Sequence, residues 1–205
     1  MTNIQQKFKI IDLEDFVDQQ LFLNFCKKEF EESSDPAASN MWSSDWKIDS
    51  YTLPNLIYIQ KRFNSSHGQF SLLLADDAII GCAGVYISEF SSTFAVAGCR
   101  TWVSKPYRNM LLVREYLLPK QKSWAQNKNL GAIGLTFNSY NKNLAKIWEK
   151  RRLGEKRNKR ESQHMFYNGF QKVEFPVLIK NTSQWVIYEK LNEDWNFDWE
   201  IIKCK

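Results

Sequence analysis

Histidine is nearly absent from this chain. His67 and His164 are the only two among 205 residues, and neither sits in a metal-ligand spacing. That scarcity argues against a zinc enzyme and against a Ser-His-Asp hydrolase. The four cysteines (Cys26, Cys82, Cys99, Cys204) form no CxxC pair. Cys82 and Cys99 lie in apolar, strand-like segments and are expected to be buried free thiols, as suits a reducing cytoplasm. Long apolar runs are missing as well. The longest, AIIGCAGVYI at 78–87, is about half of what a membrane helix needs. No secretory signal is expected either, because Asp12, Glu14, Asp15 and Asp18 interrupt the N-terminal stretch.

What is present fits a globular chain. Apolar residues make up 43% and charged ones 25%, too apolar for a disordered polymer and long enough for one domain with a sizeable core. Eight tryptophans suggest an aromatic core or groove, with packing as the default explanation. The net charge of +5 is largely local: the run 150–160 holds seven basic residues and one acidic one. Such a run is either a solvated helix end with its loop or an anion-facing patch for nucleic acid or a phosphorylated ligand. The 23 acidic residues in the chain and the lack of a nucleic-acid motif speak against the nucleic-acid reading.

KFKII at 7–11 reads as a first strand. The spacing of Phe16, Val17, Leu21, Phe22, Phe25 and Phe30 predicts an amphipathic helix over 13–31. The Ser- and Asp-rich segment 33–46 reads as a loop, anchored or lid-like through Met41, Trp42 and Trp46. Four β-rich runs follow: LIYIQKRF, FSLLLAD, AIIGCAGVYI and FAVAGCRTWV, with a tight hairpin turn expected at Ala75-Asp76-Asp77-Ala78. A helical pattern then extends to about Lys128, and Pro119 is expected to kink it or end its first part. AIGLTF at 132–137 reads as a doubly buried strand, 141–151 as a helix, and 173–180 with 184–191 as a hairpin. The order predicts an α+β fold: a mixed, mostly antiparallel central sheet with helices on both faces and one central β-α-β crossover. One domain over 1–205 is expected, with a basic insertion at about 151–168 and an aromatic tail at 192–205. In the tail, Trp195, Phe197, Trp199 and Ile201 would share one strand face, covering the sheet edge of this chain or pairing with a second copy.

Three stretches carry a family resemblance. RTWVSKPYR at 100–108, LGAIGLTFN at 130–138 and NKNLAKIWEK at 141–150 resemble, in this order, three segments of the GNAT superfamily of acyl-CoA N-acyltransferases. They are similar to its fourth strand with the V-x-P-x-Y-R entry to the pyrophosphate loop, its fifth strand, and its N-x-x-A-x-x-x-Y-E-K helix. The resemblance covers about residues 5–191 and implies transfer of an acetyl group from acetyl-CoA to a primary amine, on a small molecule or a peptide. It implies that backbone N–H groups near Trp102 and Val103 hold the pantetheine and thioester. A helix beginning near Arg108 would accept the pyrophosphate on the N–H groups of Asn109, Met110, Leu111, Leu112 and Val113. Arg108, with Arg114 or Lys105, would add charge, and Asn141 and Trp148 would line the coenzyme site from the next helix.

Three residue changes mark the chain out within that pattern. Leu111 and Val113 stand where the loop's glycines are expected, and Trp148 replaces the tyrosine that protonates the leaving thiolate. Tyr140 is the candidate substitute acid, with Tyr107 and Tyr167 as further ones; Glu89 is the candidate base. Cys99, in a strand and with no histidine nearby in sequence, reads as packing rather than as a nucleophile. These substitutions leave open a second reading, a GNAT-fold binding protein without turnover.

Overall fold

The computed structural model describes residues 7–32, 34, 66–88, 91–138, 169–173 and 184–196. Seven strands form one sheet: β1 (Phe8–Asp12), β2 (Gly68–Ala75), β3 (Ala78–Ile87), β4 (Phe94–Val103), β5 (Ala132–Asn138), β6 (Gly169–Val173) and β7 (Gln184–Lys190). Their lateral order is β1-β2-β3-β4-β5-β7-β6. The described pairings are antiparallel except one: β4 runs parallel to β5, with Phe94 opposite Ala132, Ala95 opposite Ile133 and Val96 opposite Gly134. The expected α+β class with a mixed sheet and a β-α-β crossover is therefore observed. The chain divides into two compact units, Met1–Tyr86 with Gly98–Gln121, and Ile87–Ala97 with Lys122–Lys205.

In the first unit, side chains alternate between two apolar layers because successive strand residues point to opposite faces. Phe70, Leu72, Leu74, Ile79, Cys82 and Trp102 face α1 (Gln19–Cys26), whose Phe22 and Phe25 complete that layer. Leu73, Ala75, Ile80, Ala83 and Val103 face the other way, onto Leu112 and Leu117. With helices on both faces, β2 and β3 are buried almost throughout, which is why they read as continuous apolar runs. Cys26 and Cys82 are buried free thiols of the α1 layer. Burial, and secondarily the neighbouring Cys82, raises the Cys26 thiol well above its ordinary pKa, so it stays protonated. At the edge of the sheet Asp12 accepts from Ser71 Oγ (2.9 Å) and Gln69 Nε2 (3.0 Å) and pairs with Lys120 (2.8 Å).

Several expectations are corrected here. The first helix does not begin at 13. A 3-10 turn at Leu13–Asp15 precedes a break, and the Asp18 side chain caps α1 by accepting from Leu21 N (2.9 Å). Val17 is consequently 94% exposed rather than part of an apolar stripe. From Lys27 to Glu31 the helix widens into π winding. Pro119, expected to kink the second helix or end its first part, is the second residue of α2 (Leu118–Asn127), directly after a π segment at Val113–Leu117. Proline lacks the N–H that the i−4 carbonyl would receive, and the widened turn absorbs the mismatch just before it. β7 pairs with Gly169–Val173, a segment not read as a strand from sequence; of the expected partner strand 173–180, residues 174–180 lie outside the described residues. The expected strand at 56–63, the helix at 141–151, the loop at 35–46 and residues 197–201 of the tail lie outside the described residues.

The second unit is pinned at Gly131. Its N–H donates to Thr93 O (2.8 Å) and its carbonyl accepts from Leu191 N (2.9 Å) and Asn192 N (3.0 Å). The ring of Trp195 lies directly on it: a Cβ built at Gly131 would be 1.9 Å from Trp195 Cδ1. Residues 191–196 are turn and irregular chain, so Trp195 acts as a buried plug and not as a strand residue.

Candidate functional site

The sequence-predicted coenzyme residues Trp102, Val103 and Arg108–Val113 are brought together at the C-terminal end of β4 and the turn that follows, inside the first unit. Three local devices shape that strand end. Leu73 opposes Gly81 while Leu74 opposes Ile79, so Ile80 is the extra residue of a β-bulge. The Ile80 carbonyl accepts from Ser104 N (2.8 Å), fixing the last residue before the turn. Gly81 lies under Trp102: a Cβ there would be 2.8 Å from the Trp102 carbonyl, so only glycine lets the two strands approach. Further back, Gly98 adopts φ 72°, two residues past the last β4–β5 pair at Val96. The buried amide of Gln121 bridges this kink, accepting from Gly98 N (3.3 Å) and donating to Gly84 O (3.2 Å).

Trp102 and Val103 project to opposite layers. The Trp102 indole Nε1 donates to Glu29 Oε2 (2.7 Å), and Phe30 meets its ring edge-on at 5.1 Å. Arg108 folds back over the strand. Its Nε donates to Val103 O (2.8 Å) and its guanidinium carbon stands 4.4 Å from the Trp102 ring centroid, a cation–π contact.

The turn itself differs from the expectation in one respect. Lys105–Tyr107 forms a 3-10 turn, and the N–H groups of Arg108 and Met110 are taken by Lys105 O (3.3 Å) and Tyr107 O (3.4 Å). The helix therefore begins at Leu112, not near Arg108. Its first turn closes when Glu115 N donates to Leu111 O (2.9 Å). The N–H groups of Leu112, Val113 and Arg114 open the helix, where no i−4 carbonyl exists to receive them. Just before them, Asn109 and Leu111 sit in the left-handed region at φ 78° and 59°. Asparagine tolerates this; leucine does so at about 1–2 kcal/mol. Leu111 is the position where the resemblance places a loop glycine, so the residue has changed while a glycine-like backbone remains. Met110 and Leu111 are 46% and 42% exposed. Arg114 pairs with its neighbour Glu115, Nε to Oε1 at 2.7 Å.

The other candidates are placed as follows. Asp76 and Asp77 form the β2–β3 hairpin turn, Asp76 at φ 52°. Glu89, Tyr140, Asn141, Trp148, Tyr167 and the basic run 150–160 lie outside the described residues. Two polar residues that contact β4, Glu29 at Trp102 and Gln121 at the Gly98 kink, were not legible from sequence. Each is a single polar side chain in a helical pattern, and nothing local tells it from a solvated one. Among the described residues no group of three metal-ligating side chains occurs, and no helix is long and apolar enough to cross a membrane.

No family model matches the chain, and no curated protein matches it. Solved structures do. An acetyltransferase of the GNAT family from Streptococcus pneumoniae superposes with a TM-score of 0.50 at 15% identity, covering 91% of this chain and 100% of that one. The spermidine N-acetyltransferase of Vibrio cholerae, in complex with CoA and spermine, gives 0.50 at 12% identity, covering 89% of this chain and 95% of that one. At these identities the likeness establishes the fold: the chain has the GNAT fold.

Proposed function

We propose that this GNAT-fold chain is an N-acyltransferase that takes an acyl group, acetyl in the first instance, from acyl-coenzyme A and passes it to a primary amine. The observation that carries the reading is the left-handed Leu111 at φ 59°, directly before the helix that begins at Leu112. A strained non-glycine residue persists only where the surrounding structure requires that backbone shape. The shape leaves the N–H groups of Leu112, Val113 and Arg114 at a helix N-terminus, which fits a pyrophosphate. This reaction needs no covalent nucleophile. The coenzyme supplies an activated thioester; the amine nitrogen attacks its carbonyl carbon, the C–S bond breaks and the thiolate takes a proton.

In this reading the β4 backbone near Trp102 and Val103 holds the thioester and polarises its carbonyl. The Ile80 bulge, Gly81 and the Gln121 bridge fix that strand end in advance, so little reorganisation accompanies binding. Glu89 and Tyr140 stay proposals for base and acid, and Asn141 and Trp148 for coenzyme contacts. The spermidine acetyltransferase of the same fold, crystallised with CoA and spermine, supports the reaction class without naming the acceptor.

Leu111→Gly tests the loop. Removing the side chain relieves the left-handed strain and loses part of that gain to the freer unfolded chain, for a net stabilisation of about 0.5–1 kcal/mol. The melting temperature should rise by roughly 1–4 °C, and calorimetry should show tighter CoA binding because a Cβ no longer stands before the helix N-terminus. Absence of heat with the parent protein at millimolar CoA would sink the enzyme reading. A second reading, binding without turnover, is favoured by the side chains of Leu111 and Val113 where glycines are expected. CoA binding with no acylation over an amine panel would select it.

A further inference from the structure

The last residues of β4 turn their backbone groups to opposite edges of the strand. Ser104 N donates to Ile80 O of β3 (2.8 Å), and the Trp102 carbonyl lies against Gly81 of the same strand. Backbone groups alternate between the two edges of a strand, so the N–H and carbonyl of Val103 point away from β3. On that edge the register with β5 is described as far as Val96. Val103 O is met there by the chain itself, because Arg108 Nε donates to it at 2.8 Å. The 3-10 turn at Lys105–Tyr107 brings Arg108 back behind the strand, and a cation–π contact with the Trp102 ring at 4.4 Å helps to seat it.

An extended ligand with amide groups that lies along this edge needs the same carbonyl. In the acyltransferase reading that ligand is the pantetheine arm of the coenzyme, whose secondary amides suit a strand edge. Such an amide would put its nitrogen about 2.9 Å from the oxygen, the distance at which Arg108 Nε already stands. The two donors therefore compete for one acceptor. The strand end itself is fixed by the Ile80 bulge and Gly81, so what has to move is the side chain of a turn residue. A protein that is mostly in a closed form binds with an affinity lowered by its open fraction.

We propose that Arg108 is an autoinhibitory latch: it closes the ligand edge of β4 by occupying Val103 O, and the pantetheine arm binds by displacing it. The latch rests on the acyltransferase reading for the identity of its ligand. Pantetheine, with the amides and no phosphate, and adenosine 3′,5′-bisphosphate, with phosphates and no amide arm, are titrated by calorimetry into the full chain and into Arg108→Met. Methionine still covers the Trp102 ring but has no N–H to donate, and the melting temperature reports on folding. Pantetheine should bind the variant about tenfold more tightly, the ordinary worth of one hydrogen bond from a charged donor, while the nucleotide gains nothing. Equal pantetheine affinity in both chains, or a parallel gain for both ligands, overturns the latch. A second readout needs the parent alone. The Nε–H resonance of Arg108, assigned by its loss in Arg108→Lys, should shift and lose its exchange protection as pantetheine is added; an unmoved resonance at saturation also overturns the latch. CoA titrations separate the two ideas. CoA bound by the parent, with pantetheine affinity unchanged in Arg108→Met, strikes the latch alone, whereas neither CoA nor pantetheine bound by either chain strikes both.

Discussion

Trp195→Ala should destabilise the protein by about 3–5 kcal/mol, the ordinary range for removing a large buried ring. Scanning calorimetry should see the melting temperature fall by roughly 10 °C. The ring stacks on Phe94 at 5.9 Å and 29° and meets Tyr188 edge-on at 5.7 Å, and its Nε1 donates to Thr93 Oγ1 at 2.9 Å. Truncation removes all of these and uncovers Gly131, whose N–H and carbonyl anchor both Thr93 and the chain after β7. Gly131→Ala should also be costly, because a Cβ cannot coexist with the indole in place. The two changes should be strongly non-additive, since the double variant lifts the clash that Gly131→Ala creates alone. Additive losses would mean that the ring does not rest on Gly131.

The second large effect is expected at Gln121. Gln121→Leu keeps the volume but leaves Gly84 O and Gly98 N without their bridge, which should destabilise by about 2–4 kcal/mol. The consequence for binding follows from where the bridge sits. Gly98 is the left-handed kink of β4, and the strand end beyond it carries the proposed thioester-holding groups. A shifted strand end should weaken CoA binding roughly tenfold or more, measured well below the melting transition. Gln121→Glu should recover little, because it keeps the acceptor for Gly98 but sets a carboxylate against the Gly84 carbonyl. A Gln121→Leu variant with parental melting and parental CoA affinity would show that the kink holds itself.

The parts of the fold legible in the sequence are those where one residue pattern has one physical meaning. Run 78–87 is a strand because it is apolar on both faces, and both faces are covered by helices. The hairpin turn at Asp76-Asp77 follows from residues that tolerate left-handed backbone. Misreadings arose where a pattern was ambiguous. Phe16 and Val17 fit helical spacing, yet the Asp18 cap starts the helix later and leaves Val17 in solvent. Gly169–Val173 carries no strand pattern strong enough to read, and only its pairing with β7 shows it as one.

The same division holds at the site. Sequence alone determined that a strand ends at Val103 and that a helix follows a Lys-Pro-Tyr-Arg turn, because strand propensity and proline chemistry are local. It also identified Leu111 and Val113 as side chains in glycine positions. Only the tertiary structure decided that Leu111 keeps the left-handed backbone, that the helix waits until Leu112, that Glu29 reaches Trp102 and that Gln121 bridges the Gly98 kink. The reason is physical: φ at a strained turn and the partner of a lone polar side chain are fixed by contacts between segments distant in sequence, Glu29 with Trp102 and Gln121 with Gly84, and no local pattern encodes them.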